Sequence, residues 1–387
     1  MNKKFSVIFI LLAFIMTIGV FGGFKAKVNA IEYGENIQSK SAYLMDYNTK
    51  TVIYAKNELE RRPIASMCKI MTLLLTFEEV KNGNLKLEDS IVVSENANGM
   101  GGSQIFLDAN AEYQVGELVK GVIVASANDA SVALAERICG SENAFVEKMN
   151  LKASQLGMEN TKFSNCTGLP KPEQYSCAKD VAIMFSELIK HKEYFKYSTL
   201  WMDEICHPND RVTEISNTNK LIRFYEGCDG GKTGYTSEAG HCLTACARRN
   251  GMRLISVIIS APDSKTRFKE ASNLFNFGFA NYCNKIVLDE EKPLENTVKI
   301  KGGKADCVGV KTQRTVFVFS EKNQKRSVEI VFKDFGILKA PIYQGDVIGE
   351  IIVYENGKEI AKVPAVATED VLKASFGDAI NNIAGAW

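Results

Sequence analysis

Residues 66–80 are apolar on most sides and read as a buried helix that Asn82-Gly83 ends. Two further stretches of helical period follow at 115–125 and 129–139, broken between by Ser126-Ala127-Asn128. Later, runs at 240–248 and 252–260 flank Asn250-Gly251, both residues that tolerate positive φ, which predicts a β-hairpin. A last helical pattern at 267–282 carries Phe268, Leu274, Phe275 and Phe279 on its apolar side. Helices alongside an antiparallel sheet give an α+β domain with a buried central helix, assigned to residues 31–283.

The pattern changes at residue 284. Short β-rich runs at 315–320, 327–332 and 347–354, punctuated by Gly302-Gly303 and Asn356-Gly357, predict a separate small all-β domain over 284–366. In the remaining tail, 367–387, Leu372, Phe376, Ala379, Ile380, Ile383 and Trp387 fall on one helical stripe, an amphipathic arrangement that suits peripheral contact with a membrane. Glu369, Asp370 and Asp378 against Lys373 argue for the rival reading, a helix docked on its own β domain, because strong surface helices are usually basic.

The first thirty residues read as targeting. Lys3 and Lys4 precede an uncharged, mostly apolar stretch at 5–24, and Val28-Asn29-Ala30 has the small-x-small form of a cleavage site. An uncleaved anchor is the alternative, since about 20 apolar residues span a bilayer. Either way, the rest of the chain is expected outside the cytoplasm, at the cell wall or the outer face of the cytoplasmic membrane. Without Lys3, Lys4, Lys25 and Lys27 the formal charge falls from +1 to −3, so neither form has the basic excess of a nucleic-acid binder. Ten cysteines in an exported chain raise the question of disulfides, but 387 residues can bury a core without them. They sit mostly inside apolar runs, where Cys behaves as a small hydrophobe, so buried free thiols are expected. His191, His207 and His241 are scattered, and neither a metal site nor a cofactor is expected.

Ser66-Met67-Cys68-Lys69 puts a hydroxyl and an amine three residues apart, on one face at a helix start. A serine becomes a nucleophile when a base takes its proton, and a lysine of lowered pKa can be that base. Alone the spacing is weak, because Ser176-Cys177-Ala178-Lys179 repeats it where Ser176 reads as a helix cap. Weight comes from an ordered set: Ser66 and Lys69 opening a helix, Ser126 and Asn128 between two helices, and Lys232-Thr233-Gly234 leading into a hairpin. That trio belongs to penicillin-binding proteins and class A β-lactamases.

Pro63-Ile64-Ala65-Ser66-Met67-Cys68-Lys69, Val124-Ala125-Ser126-Ala127-Asn128-Asp129 and Gly230-Gly231-Lys232-Thr233-Gly234-Tyr235-Thr236 resemble the low-molecular-weight penicillin-binding proteins that are D-alanyl-D-alanine carboxypeptidases. The likeness runs over about residues 41–283 and includes Met100-Gly101-Gly102-Ser103-Gln104, Asn165-Cys166-Thr167-Gly168-Leu169 and Asn217-Thr218-Asn219-Lys220-Leu221; Cys68 and Cys166 stand where Thr and Pro are expected. The resemblance implies a penicillin-binding, β-lactamase-like transpeptidase fold. It also implies that Ser66, Lys69 and Ser126 are catalytic, while Asn128, Lys232, Thr233, Gly234 and Tyr235 bind substrate, Tyr235 through a backbone N–H shared with that of Ser66 in an oxyanion hole. The implied partners are peptidoglycan stems ending in D-Ala-D-Ala and β-lactams as covalent inhibitors. A class A-like β-lactamase would need a positioned Glu with an Asn four residues on; the best placed, Glu173, is followed there by Cys177. A non-catalytic cell-wall-binding protein is the other alternative, disfavoured by three intact motifs.

Overall fold

A computed structural model describes residues 33–378 apart from Glu35 and Lys325. The targeting segment and residues 379–387 of the tail therefore lie outside the described residues.

The first sheet is antiparallel, in the order β2-β1-β9-β8-β7: β1 is Ser41–Asp46, β2 Val52–Lys56, β7 Cys228–Thr236, β8 Gly240–Arg249 and β9 Met252–Ala261. Its hairpin is the expected one, with Arg249 opposite Met252 across Asn250 (φ 50°) and Gly251 (φ 79°). Strands β8 and β9 are apolar on both faces because both are covered. Helix α9 (Ser264–Asn281) lies on one face through Leu274 and Phe275, and the helical layer of α1 (Lys69–Lys81) lies on the other. Around α1 the layer holds α2 (Glu95–Asn98), α3 (Val115–Val124), α4 (Asn128–Cys139), α5 (Glu142–Gln155), α6 (Ala178–Leu188), α7 (Tyr194–Ser198) and α8 (Leu221–Phe224). Two small hairpins complete it, β3 (Ser90–Val92) with β4 (Glu112–Gln114) and β5 (Met202–Cys206) with β6 (Val212–Ser216). From Lys69 to Phe77 every residue of α1 is buried, as the unbroken apolar pattern requires.

The β-rich region has its own core. Its large sheet runs β14-β16-β17-β12-β11-β15, and β10 pairs with β13. The ranges are β10 Tyr282–Leu288, β11 Pro293–Lys301, β12 Cys307–Thr312, β13 Val316–Glu321, β14 Val328–Asp334, β15 Leu338–Lys339, β16 Val347–Glu355 and β17 Lys358–Ala367. After β17 the chain stays seated, with Val371 buried opposite Ile342 and Lys373 bridged to Gly303, so the start of the tail is part of the β core. Nothing described supports the membrane contact expected of that tail. Among the described residues, no helix is long and apolar enough to cross a membrane. The cysteines carry no disulfide; Cys68, Cys166, Cys177, Cys228, Cys242 and Cys246 are buried, whereas Cys206 and Cys307 are exposed.

Candidate active site

Ser66 lies in a 3₁₀ turn, Ala65–Cys68, that runs directly into α1, so the three-residue spacing brings Lys69 back beneath it. Lys69 Nζ donates to Ser66 Oγ at 3.1 Å and to the Thr167 carbonyl at 2.6 Å. The turn is strained, with Ala65 at φ 47°, and is held from two sides. A Cβ on Gly168, itself at φ 84°, would lie 2.1 Å from the Ala65 carbonyl oxygen. One on Gly234 of β7 would lie 2.7 Å from that of Ile64 and 3.2 Å from Ser66 N. These two glycines let the 167–168 loop and the free edge of the sheet close on the Ser66 backbone.

The wall opposite is the turn between α3 and α4. Ser126 occupies the left-handed region at φ 65° and accepts from Lys232 Nζ at 2.7 Å, while the same ammonium also donates to the Thr233 carbonyl at 3.1 Å. Asn128 opens α4 rather than standing in a break, and its amide nitrogen donates to Gly101 O at 2.6 Å. Its Oδ1 is buried without a partner. Tyr235 is exposed, and its ring stacks on His241 at 4.4 Å between centroids. Ser66, Lys69, Ser126, Lys232, Thr233 and Gly234 thus meet at the β7 edge, with Asn128 two residues beyond Ser126 and Tyr235 next on β7.

Burial disfavours both ammonium groups. It lowers the pKa of Lys69 from 10.5 to about 8. Thiolates at Cys68 and Cys166 would push it back up, but burial drives the Cys68 thiol up to about 12 and that of Cys166 well above 9; the Asp129 carboxylate also acts upward, and burial still outweighs it. Lys232 is pushed well below its ordinary value by burial and then by the Lys69 and Arg267 charges. Burial thus pushes both lysines toward neutrality, and a carboxylate brought to Lys232 would favour its charged form.

Two residues at the site were not read from the sequence. Arg267, on α9, donates from Nη1 to the carbonyls of Gly234 and Cys242 at 3.1 Å each, and its Nε is buried without a partner, which adds a cation behind β7. Asp129 is fully buried and accepts from the backbone N–H groups of Ile105 and Leu107, tying down the loop whose Gly101 and Ser103 carbonyls hold Asn128. A charge inside an otherwise apolar helix pattern was the only sequence signal for either. The Ser176 reading is corrected: the cap of α6 is Cys177, whose Sγ accepts from Asp180 N, and Ser176 Oγ bonds Thr161 Oγ1 at 2.8 Å. Glu173 is an exposed residue paired with Lys162. Among the described residues no His, Cys, Asp or Glu cluster is arranged for a metal ion.

The profile of the D-alanyl-D-alanine carboxypeptidase family matches residues 26–263, and that of the penicillin-binding protein 5 C-terminal domain matches residues 284–373. The chain is 40% identical to D-alanyl-D-alanine carboxypeptidase DacF of Bacillus subtilis over 353 residues, 90% of each protein. It is 33% identical to D-alanyl-D-alanine carboxypeptidase DacA of Haemophilus influenzae over 381 residues, 94% of each. Penicillin binding protein 5 from Haemophilus influenzae has a similar crystal structure, with a TM-score of 0.70 and 33% identity, covering 89% of this chain and 100% of that one.

Proposed function

From a chain that belongs to the D-alanyl-D-alanine carboxypeptidase family, a family of serine penicillin-binding peptidases, we propose the following division of labour among its residues. The enzyme is a serine hydrolase that removes the terminal D-alanine from peptidoglycan stems. Ser66 attacks the carbonyl between the two D-alanines while Lys69, neutral, takes its proton. The Ser66 and Tyr235 backbone N–H groups receive the developing oxyanion, as fixed donors in a protected site. The proton that Lys69 took passes through Ser126, in contact with Lys232, to the leaving nitrogen, which restores neutral Lys69. The Asn128 Oδ1, lacking a protein partner, accepts the substrate amide N–H. Lys232 and Thr233, with Arg267 behind them, meet the terminal carboxylate. The departing D-alanine leaves an acyl-enzyme on Ser66 Oγ, and water attacks that ester to regenerate the serine.

The observation that carries this reading is the buried Lys69 Nζ, 3.1 Å from Ser66 Oγ, an amine whose burial readies it as a base. A β-lactam presents an amide and a carboxylate in the same relation and would acylate Ser66. The exposed, ion-paired Glu173 does not serve a lactamase-type deacylation. Because the substrate lies outside the cytoplasm, the proposal includes export. The test incubates the purified protein with a pentapeptide ending in D-Ala-D-Ala and measures released D-alanine. Release from that peptide and none from an L-Ala-L-Ala control is expected; no release from either overturns the proposal.

A further inference from the structure

Phe106 is an exposed aromatic residue held in a strained conformation. The residue is 58% exposed, yet its φ is 60°, the left-handed region that a bulky residue rarely adopts. The strain is imposed from both flanks. Ile105 N and Leu107 N donate to the buried Asp129 carboxylate at 3.1 and 3.2 Å, and the side chains of both residues are buried. The Phe106 carbonyl accepts from Arg211 Nη2 at 2.8 Å, and Arg211 pairs with Asp108 at 2.8 Å. With its neighbours pinned inward and its own carbonyl clamped, the ring is projected out of the protein. Strain that the surroundings over-determine in this way collects where a residue is wanted for function.

Phe106 stands three residues beyond the part of its loop that borders Asn128. The same loop supplies the Gly101 and Ser103 carbonyls that hold Asn128, and a Cβ on Gly102 would lie 2.8 Å from Asn128 Nδ2. With the terminal carboxylate at Lys232 and Thr233 and the substrate amide on Asn128 Oδ1, the rest of the stem continues past Asn128 toward this loop. Resting on the carboxypeptidase reading, we propose that the Phe106 ring contacts the peptide stem on the N-terminal side of D-Ala-D-Ala, taking the aliphatic part of the preceding side chain on its face and favouring extended stems over minimal dipeptides.

The experiment measures kcat/KM for D-alanine release from the pentapeptide L-Ala-γ-D-Glu-L-Lys-D-Ala-D-Ala and from N-acetyl-D-Ala-D-Ala, using parent, Phe106→Ala and Phe106→Tyr. The expected result is that Phe106→Ala lowers the pentapeptide-to-dipeptide ratio by about tenfold, the scale of one apolar contact, while Phe106→Tyr retains it. Arg211→Gln, which frees the clamp but keeps the ring, should lower the ratio in the same direction and by less. An unchanged ratio in Phe106→Ala, including an equal fall on both peptides, overturns the proposal and leaves Phe106 a structural residue. Parent protein that releases D-alanine from neither peptide overturns the carboxypeptidase reading itself, and this proposal with it.

Discussion

Ser66 and Ser176 stand in the same spacing to a lysine and lead to opposite environments. At the first, a 3₁₀ turn delivers the hydroxyl to a lysine with no exposed surface, which burial moves toward its neutral form. At the second, Ser176 is fully buried and bonded to Thr161, while Lys179 is exposed. The local pattern is the same, so reactivity must come from what surrounds it. Around Ser66 stand a glycine loop, a sheet edge with no side chain at Gly234, and the Ser126–Lys232 pair. The second pair has no such cleft: Ser176 bridges to Arg62 instead and helps fix a loop.

The sharpest way to break this comparison is to remove each hydroxyl. Ser66→Ala should abolish both D-alanine release and covalent penicillin labelling, a fall of at least about 10⁴-fold, whereas Ser176→Ala should leave both nearly intact. Labelling retained in the Ser66 variant would refute the assignment.

Replacing the lysines comes next. Lys69→Arg should lower penicillin acylation by about 10³-fold, because a guanidinium cannot act as a base near neutrality, and Lys179→Arg should have no effect. Lys232→Arg keeps a cation and should retain measurable acylation, with its main defect in carboxylate recognition. The second-order acylation rate, with circular dichroism to confirm folding, ranks the variants. Lys232→Arg proving slower than Lys69→Arg would overturn the base assignment.

The pH profile gives a smaller, signed effect. Lys69 accepts a proton only when neutral, and its pKa is lowered to about 8. Acylation should therefore rise with pH, by about tenfold per unit below 8, and level off above. A profile flat from pH 6 to pH 9 would show that no group titrating near 8 is the base.

The smallest effect separates structure from chemistry. Ser176→Ala removes a buried hydrogen bond to Thr161 and should cost about 1 kcal/mol of stability, read as a lowered Tm without loss of acylation. No loss of stability would mean that the Thr161 bond adds nothing net.

The helices around Ser66 and Ser126 and the hairpin after Lys232 were legible because their signals are local: apolar period, Asn250-Gly251, and an ordered trio of motifs. Helix boundaries at 128 and 177 were not, since the choice between Ser176 and Cys177 as a cap depends on Thr161, fifteen residues away in sequence. Arg267 and Asp129 were missed for the same reason, each being a charge whose partners belong to another segment.

By itself, the sequence determined that a serine and a lysine share a helical face, that a glycine follows Lys232-Thr233, and that a β region follows the catalytic one. These are matters of chain geometry within a few residues. Only the tertiary structure decided that Lys69 is fully buried, that Ser126 pairs with Lys232, that Asn128 Oδ1 is buried without a protein partner, and that Phe106 is turned outward. Protonation and partner choice depend on desolvation and on contacts between distant segments, and those exist only once the sheet and the helical layer have closed on each other.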